Sequence, residues 1–352
     1  MALDLARGQR AAGSRVIAVS LARADAKGST LAAEFADGGI AVHTIPKRDG
    51  FDPSLPLRLA LLFRNERVDV VHTHNPQPLI YCAPAARLTG AILVHTKHGA
   101  NLDTTRRLFL RRAAASLAHA YVAVSSTTAA VARKAREVGE ARLHTIANGI
   151  DLSRFHPDKD ARAAVRAELG MNDSVWLTGT VGRLAPEKDQ ALLMTALAPT
   201  LGERSQLVIV GDGPEAAALA ALAELLGVRR FVHLPGARRD VPRVLAALDV
   251  FALSSRSEGL PLVIPEAMAT ALPVISTAVG GIPEVVEEGV TGFLTPARDA
   301  ASLGERLNRL FADRARAVEM GQRGRTLALE RYSAERMVGD YLALYDRLLR
   351  AR

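Results

Sequence analysis

Short apolar runs alternate with longer amphipathic stretches along almost the whole chain. In the first half the runs are Arg15–Leu21, Ala41–Ile45, Val68–Thr73, Ala91–Thr96, Ala120–Ser125 and Leu143–Ala147. The rhythm resumes with Val175–Val181, Leu207–Val210, Phe231–Leu234, Val250–Leu253 and Val274–Ser276. An apolar run of this length reads as a strand covered on both faces, and helices inserted between such strands predict parallel sheets. The expected fold class is therefore α/β.

Between the two series lies Asn148-Gly-Ile-Asp-Leu-Ser-Arg-Phe-His-Pro157, followed by charged residues as far as Asp160. Turn formers and a proline break periodic structure here, which marks a domain boundary. A chain of 352 residues is also long for a single core. The expectation is one α/β domain over residues 1–150, a second over 151–332, and a cleft between them. The tail is amphipathic over Ala300–Phe311, Arg314–Glu330 and Ala334–Leu349, with Ser333 as an N-cap. The terminal helix, 333–352, either covers the second sheet or crosses back to brace the first domain.

The lone Cys82 has no intrachain disulfide partner and fits a reducing cytoplasm. No apolar run approaches the ~18 residues of a membrane-spanning helix, and the opening Met1–Gly8 lacks the apolar core of a signal peptide. Charge is uneven: residues 1–150 carry 20 basic and 11 acidic side chains, the remainder 25 and 26. A basic half attracts phosphates, anionic lipid or nucleic acid; a solvated arginine-rich surface is the bland alternative. Arg106, Arg107, Arg111 and Arg112 fall on one helix of that half. Their angles spread around it, which favours a general solvated surface over a membrane or acceptor-phosphate site.

Chemistry concentrates in the second half. In Val181-Gly-Arg-Leu-Ala-Pro-Glu-Lys-Asp189 a strand gives way to a loop and then to a helix near Lys188. Arg183 offers a planar fork and Lys188 a compact charge, and together they suit a diphosphate leaving group; two surface cations are the alternative. Glu258 and Glu266 stand eight residues apart after the apolar run 249–253. Acids at the carboxyl end of a strand stand in the usual ligand crevice of an open α/β sheet. Pro265 requires the helix carrying Glu266 to start near Leu262, leaving the N–H groups of Leu262, Val263 and Ile264 free to bind phosphate or ribose oxygens. A helix-borne carboxylate suits the two hydroxyls of a ribose; solvated helix-start acids are the alternative.

His72 and His74 share a face of one strand, and His98 follows another. Without an accompanying acid or cysteine they make a poor metal set. His74 reads as a hydrogen-bonding residue at the crevice edge and His72 as a structural one. Asp158-Lys-Asp160 lies in the linker and reads as solvated charge. Gly211-Asp-Gly213 lacks the third glycine of a dinucleotide turn.

These residues together resemble the family-four retaining glycosyltransferases of GT-B fold. The resemblance runs through Gly182-Arg-Leu…Glu187-Lys-Asp, Val210-Gly-Asp-Gly-Pro214, Leu234-Pro-Gly236, Asp240-Val241, Ser257-Glu-Gly-Leu-Pro261, Glu266-Ala-Met, Gly280-Gly-Ile-Pro-Glu284 and Thr291-Gly-Phe-Leu294. It continues more loosely through Val71-His-Thr-His74, His95-Thr-Lys-His-Gly99, Ser125 and Asn148-Gly-Ile-Asp151. It implies two Rossmann-like domains with parallel sheets facing across a cleft, an N-terminal acceptor domain and a C-terminal nucleotide-sugar domain.

Carried over residue by residue, the resemblance implies that Arg183 and Lys188 hold the donor diphosphate. Glu266 binds the ribose and Glu258, with Gly259 beside it, the transferred sugar; main-chain groups of Leu262 and Val263 assist. Main-chain groups around Leu234–Gly236 and Arg238 border the base. His98 faces the sugar from the first domain, with His74, Arg106 and Arg107 on the acceptor side. It further implies no metal and no cofactor beyond the nucleotide-sugar, with a UDP-sugar favoured over GDP- or ADP-sugars. The implied partners are a glycan or lipid-linked acceptor and no nucleic acid, at a cytoplasmic location that admits the inner membrane face. Relatives open with a strand and a Gly-Gly loop before a helix resembling Ala2–Ala12. Here Met1 already stands in that helix, so the first strand and its phosphate-facing loop are expected to be missing and the N-terminal domain incomplete. A nucleotide-sugar-binding protein with little or no turnover, because of that missing strand, is one competing expectation, and a sugar-nucleotide epimerase of the same GT-B fold is another.

Overall fold

The computed structural model describes residues 1–22, 29–99 and 105–352; the side chains of residues 29–31, 105 and 106 also fall outside the description. Contacts divide the chain into two compact units. One comprises Met1–Gly149 and Ala334–Arg352, the other Ile150–Ser333. Every strand pairing is parallel.

The first unit runs α1 (Ala2–Ala11), β1 (Ile17–Ser20), α2 (Ser29–Asp37), β2 (Ala41–Thr44), α3 (Leu55–Asn65) and β3 (Val70–His74). It continues with α4 (Pro76–Thr89), β4 (Ile92–Lys97), α5 (Thr105–Ala115), β5 (Ala120–Ala123), α6 (Ser126–Lys134) and β6 (Leu143–Thr145). The first six apolar runs are all strands. β3 to β6 form a four-stranded sheet in chain order, and β1 pairs with β2 in a separate ribbon. β4 is buried at every position, as expected of an inner strand with both faces covered. On one face Leu55, Leu59 and Phe63 of α3 and Leu79 and Ala83 of α4 pack against Leu93.

The second unit runs α7 (Lys159–Glu168), β7 (Trp176–Val181), α8 (Gln190–Leu197), β8 (Ser205–Val210), α9 (Ala216–Leu225), β9 (Val232–Gly236) and α10 (Val241–Ala247). Then follow β10 (Val250–Leu253), α11 (Val263–Ala269), β11 (Val274–Thr277), β12 (Gly292–Thr295), α12 (Ala300–Ala312) and α13 (Arg314–Arg331). The sheet order is β12-β11-β10-β7-β8-β9. Strand order therefore reverses between β7 and β10, which pair through Val250 with Thr178 and Phe251 with Gly179. Ligands of open α/β sheets bind beyond the carboxyl ends of strands at such a switch point. β12 is the strand that the apolar pattern did not reveal, being four residues that open on a glycine.

The last helix, α14 (Ala334–Arg350), belongs to the first unit. Its Met337, Tyr341 and Leu344 share a core with Leu5 of α1 and with Ile92, Val94 and Val122 of the sheet. At the amino edge of the second sheet, Arg166 is almost fully buried and donates to Ala247 O (3.0 Å), Val175 O (2.8 Å) and Asp249 Oδ2 (2.6 Å). The same carboxylate oxygen accepts from Leu177 N at 2.7 Å. This buried pair ties α7 to the starts of β7 and β10.

Candidate functional site

In the second unit the loops after β7 and β10 meet at the carboxyl edge of the switch point. Lys188 Nζ lies 2.6 Å from Glu258 Oε1. Ser255 Oγ donates to the same oxygen at 2.6 Å, leaving Oε2 without a hydrogen bond among the described residues. Hydrogen bonds to main-chain carbonyls lace the loops together: Arg256 N donates to Glu187 O at 2.8 Å and Ser254 Oγ to Asp189 O at 2.7 Å. Arg256 also closes an ion pair with Asp189 at 2.6 Å. Arg183, by contrast, is well exposed, its nearest carboxylate Glu187 being 4.0 Å away. One cation of the expected pair is thus anchored and the other is free to swing.

Two glycines permit these close approaches. A Cβ on Gly211 would stand 1.8 Å from Gly182 O, so the glycine lets the turn after β8 lie against the loop bearing Arg183. Gly280 has φ +58°, and a Cβ there would stand 2.0 Å from Glu258 O. Gly281 N donates to Gly259 O at 2.7 Å, so the turn after β11 braces the glutamate loop from below.

The helix expected to start near Lys188 begins at Gln190, after Asp189 in the left-handed region. α11 begins at Val263 with Leu262 as N-cap, and Glu266 is half-buried in its first turn. Ile264 N–H is not free as expected: it donates to Pro261 O at 3.2 Å, because the chain tightens into the helix through an i to i−3 bond. Among the described residues the N–H groups of Leu262 and Val263 remain without an acceptor.

The side chain of Arg238 is ion-paired. Its guanidinium contacts Glu168 and Asp240, the latter at 2.7 Å, and these carboxylates hold it ionised above its ordinary range. The side chain ties the end of α7 to the start of α10. Leu234 lines an open hollow of about 510 Å³ beside β9, shared with Leu169, Arg229, Arg230 and His233. Gly236, with φ +78°, ends β9.

In the first unit four histidines gather at β3 and β4. His74 Nδ1 is 3.0 Å from His98 Nε2, with the rings stacked. Burial pushes His74 down to about 3 and His98 to about 4, so both are neutral at ordinary pH. His72 has the structural role expected of it. Gln9 donates to Tyr345 OH (3.2 Å), leaving the phenol proton for His72 Nδ1 (2.6 Å), and His72 Nε2 bonds Thr96 Oγ1 (2.7 Å). This chain welds α1 and α14 to the sheet.

The arginines of α5 do not behave as one surface. Arg111 is only 3% exposed and pairs with Glu137 at 2.9 Å, which corrects the solvated reading for this residue. Glu137 also takes Lys97 at 3.1 Å and the Tyr121 hydroxyl. The cluster fixes the end of β4 immediately before His98. Arg107 and Arg112 are exposed; Arg106 lies outside the described side chains.

Sequence reasoning missed Ser255 and Glu137. Ser255 is legible only as a hydroxyl three residues before Glu258 in a loop, and Glu137 only as an isolated acid among arginines.

Comparison with known proteins follows the two halves of the chain. A family model described as glycosyl transferases group 1 matches residues 161–327, and one described as glycosyltransferase family 4 matches residues 1–154. The chain is 34% identical over 291 residues to a Mycobacterium tuberculosis GDP-mannose-dependent alpha-(1-6)-phosphatidylinositol monomannoside mannosyltransferase, covering 78% of this chain and 74% of that one. It is 31% identical over 271 residues to an Escherichia coli UDP-Gal:alpha-D-GlcNAc-diphosphoundecaprenol alpha-1,3-galactosyltransferase, covering 73% and 70%. Among solved structures, Anabaena Alr3699/HepE in complex with UDP superposes with a TM-score of 0.88 at 23% identity, over 98% of this chain and 95% of that one.

Proposed function

Because the chain belongs to the family-four glycosyltransferases of GT-B fold, we propose that it moves a sugar from a nucleotide-sugar to a glycan or lipid-linked acceptor, with retention and without a metal. The observation that carries this reading is the contact of Lys188 with Glu258 at the switch point of the second sheet.

Each group has a task. Arg183 and Lys188 neutralise the diphosphate as its bond to the anomeric carbon breaks. Glu258 faces the transferred sugar with its open oxygen, beside Gly259. Glu266 takes the ribose hydroxyls, and the N–H groups of Leu262 and Val263 serve the neighbouring oxygens. Leu234 and Gly236 border the base through the main chain, and Arg238 acts only by holding that region in place. In the first unit His98, oriented by His74, is the group assigned to the sugar, and Arg107 the group assigned to the acceptor; Arg106, assigned with it from the sequence, lies outside the described side chains. The acceptor oxygen bonds to the anomeric carbon on the face the diphosphate leaves, and its proton passes to the departing phosphate oxygen. No protein base is needed, which fits two histidines whose basicity is lowered by burial.

The named donors of the relatives are GDP-mannose and a UDP-sugar, and a similar fold was solved with UDP. A UDP- or GDP-sugar is accordingly the donor class, UDP being favoured. The phosphatidylinositol and undecaprenol acceptors of those relatives support a lipid-linked acceptor. The test is a nucleotide-sugar panel read by calorimetry, followed by transfer assays and NMR of the product anomer. Donor binding without transfer to any acceptor would replace the reading with a binding protein. Conversion of the donor sugar without acceptor would replace it with an epimerase.

A further inference from the structure

α4 packs against both α3 and α5, so the three form one helical layer of the first unit. Together they carry seven arginines and no aspartate, glutamate or lysine. Arg58 is paired with Asp52 and Arg111 with Glu137. Arg64, Arg87 and Arg107 are exposed and have no ion pair among the described residues.

The outward side of this layer is also apolar. α3 buries Leu55, Leu59 and Phe63, yet it presents Leu57 and Leu61, one turn apart, at 61% and 62% exposure. Arg64 continues that stripe by a further turn. Phe51, just before α3, is 65% exposed. On α5, Phe109 is 70% exposed and shares its face with Arg112, three residues on. Leu88 stands exposed beside Arg87 at the end of α4. A helix apolar on two sides with only one covered has a second contact to make.

We propose that the outer face of α3 and α5 docks on an anionic lipid bilayer. Leu57, Leu61 and Phe109 would enter the headgroup boundary while Arg64, Arg87 and Arg112 meet lipid phosphates. The surface extends the transferase reading by naming where a membrane holding a lipid-linked acceptor meets the protein; its test needs no turnover. Charge decides between occupants. A second copy would pair this face with itself and set arginines against arginines. Nucleic acid would match the charge but offers no apolar layer for two leucines and a phenylalanine.

The experiment is flotation of the full chain with vesicles of phosphatidylcholine, alone or mixed with phosphatidylglycerol. The protein should float with the mixed vesicles, much less with phosphatidylcholine alone, and detach as salt rises. Leu57→Ser with Leu61→Ser, and separately Arg64→Glu with Arg87→Glu, should each weaken partitioning about tenfold or more. Calorimetric donor affinity, unchanged in both variants, shows that they remain folded. Absence of flotation, or variants that float as well as the parent, overturns the proposal. So does a dimer in sedimentation that the leucine variant dissolves, which would make the face a self-interface. Flotation by a protein that binds no nucleotide-sugar would sink the donor reading and leave this surface standing.

Discussion

Lys188 and Glu258, seventy residues apart, form a 2.6 Å ion pair, and Ser255 bonds the same carboxylate oxygen. The lysine thus has two claims on it, one from this carboxylate and one from a donor diphosphate. Replacing Lys188 by Ala should weaken nucleotide-sugar binding by about 2 kcal/mol, as for a lost charge-assisted hydrogen bond. Glu258→Ala frees the lysine, so donor binding should change little while transfer collapses. Calorimetry beside single-turnover rates separates the two. Equal losses of binding and rate for Glu258→Ala would remove it from the sugar.

Gly280 supports this pair from the turn after β11. An alanine there meets both an unfavourable φ of +58° and Glu258 O at 2.0 Å. Gly289 supplies the control, since its φ is +71° but nothing lies within 4 Å of a Cβ. Both substitutions should cost about 1–3 kcal/mol of stability through backbone strain. Only Gly280→Ala should also cut transfer, by about tenfold or more, through displacement of the glutamate. Equal rates in the two folded variants would show that the brace does not set the geometry of the site.

The stacked histidines make stability depend on pH. The ordinary histidine value is 6.5, and burial lowers His74 to about 3 and His98 to about 4. Protons then bind the unfolded chain preferentially between those values. The stabilisation is fully present above 6.5 and is lost as pH falls towards 4. At around pH 5 each such histidine costs about 2 kcal/mol relative to neutrality. Urea denaturation at neutral and acid pH should show a smaller acid loss for His74→Asn than for the parent. An identical pH slope in both proteins would mean that His74 titrates normally.

How much was legible depended on the range of the interaction. The eleven apolar runs are strands; the inner ones are apolar on both faces because both are covered, a property local to each segment. β12 escaped because its short run opens on Gly292, which is chosen for closeness to Val274 O and not for strand propensity. Lys188 and Glu258 were nominated by their places after strands, but that they touch follows from the adjacency of β7 and β10, which no local pattern encodes. Arg111 was misjudged for the same reason. Its partner Glu137 is 26 residues away, and an arginine looks solvated until its carboxylate is located.

Arg166 and Asp249 supply a last prediction at the opposite edge of the sheet from Lys188. Arg166 is almost fully buried and satisfies the carbonyls of Ala247, Asn172 and Val175 as well as Asp249. Replacing it by Met keeps the volume but strands those acceptors. Asp249 retains only Arg162 and Leu177 N. Loss of one partner from a buried pair costs about 3–5 kcal/mol, and the urea midpoint should fall accordingly. Because the pair lies at the amino edge of the strands, donor affinity of the folded fraction should not change. A midpoint within about 1 kcal/mol of the parent would show that the pair does not anchor α7.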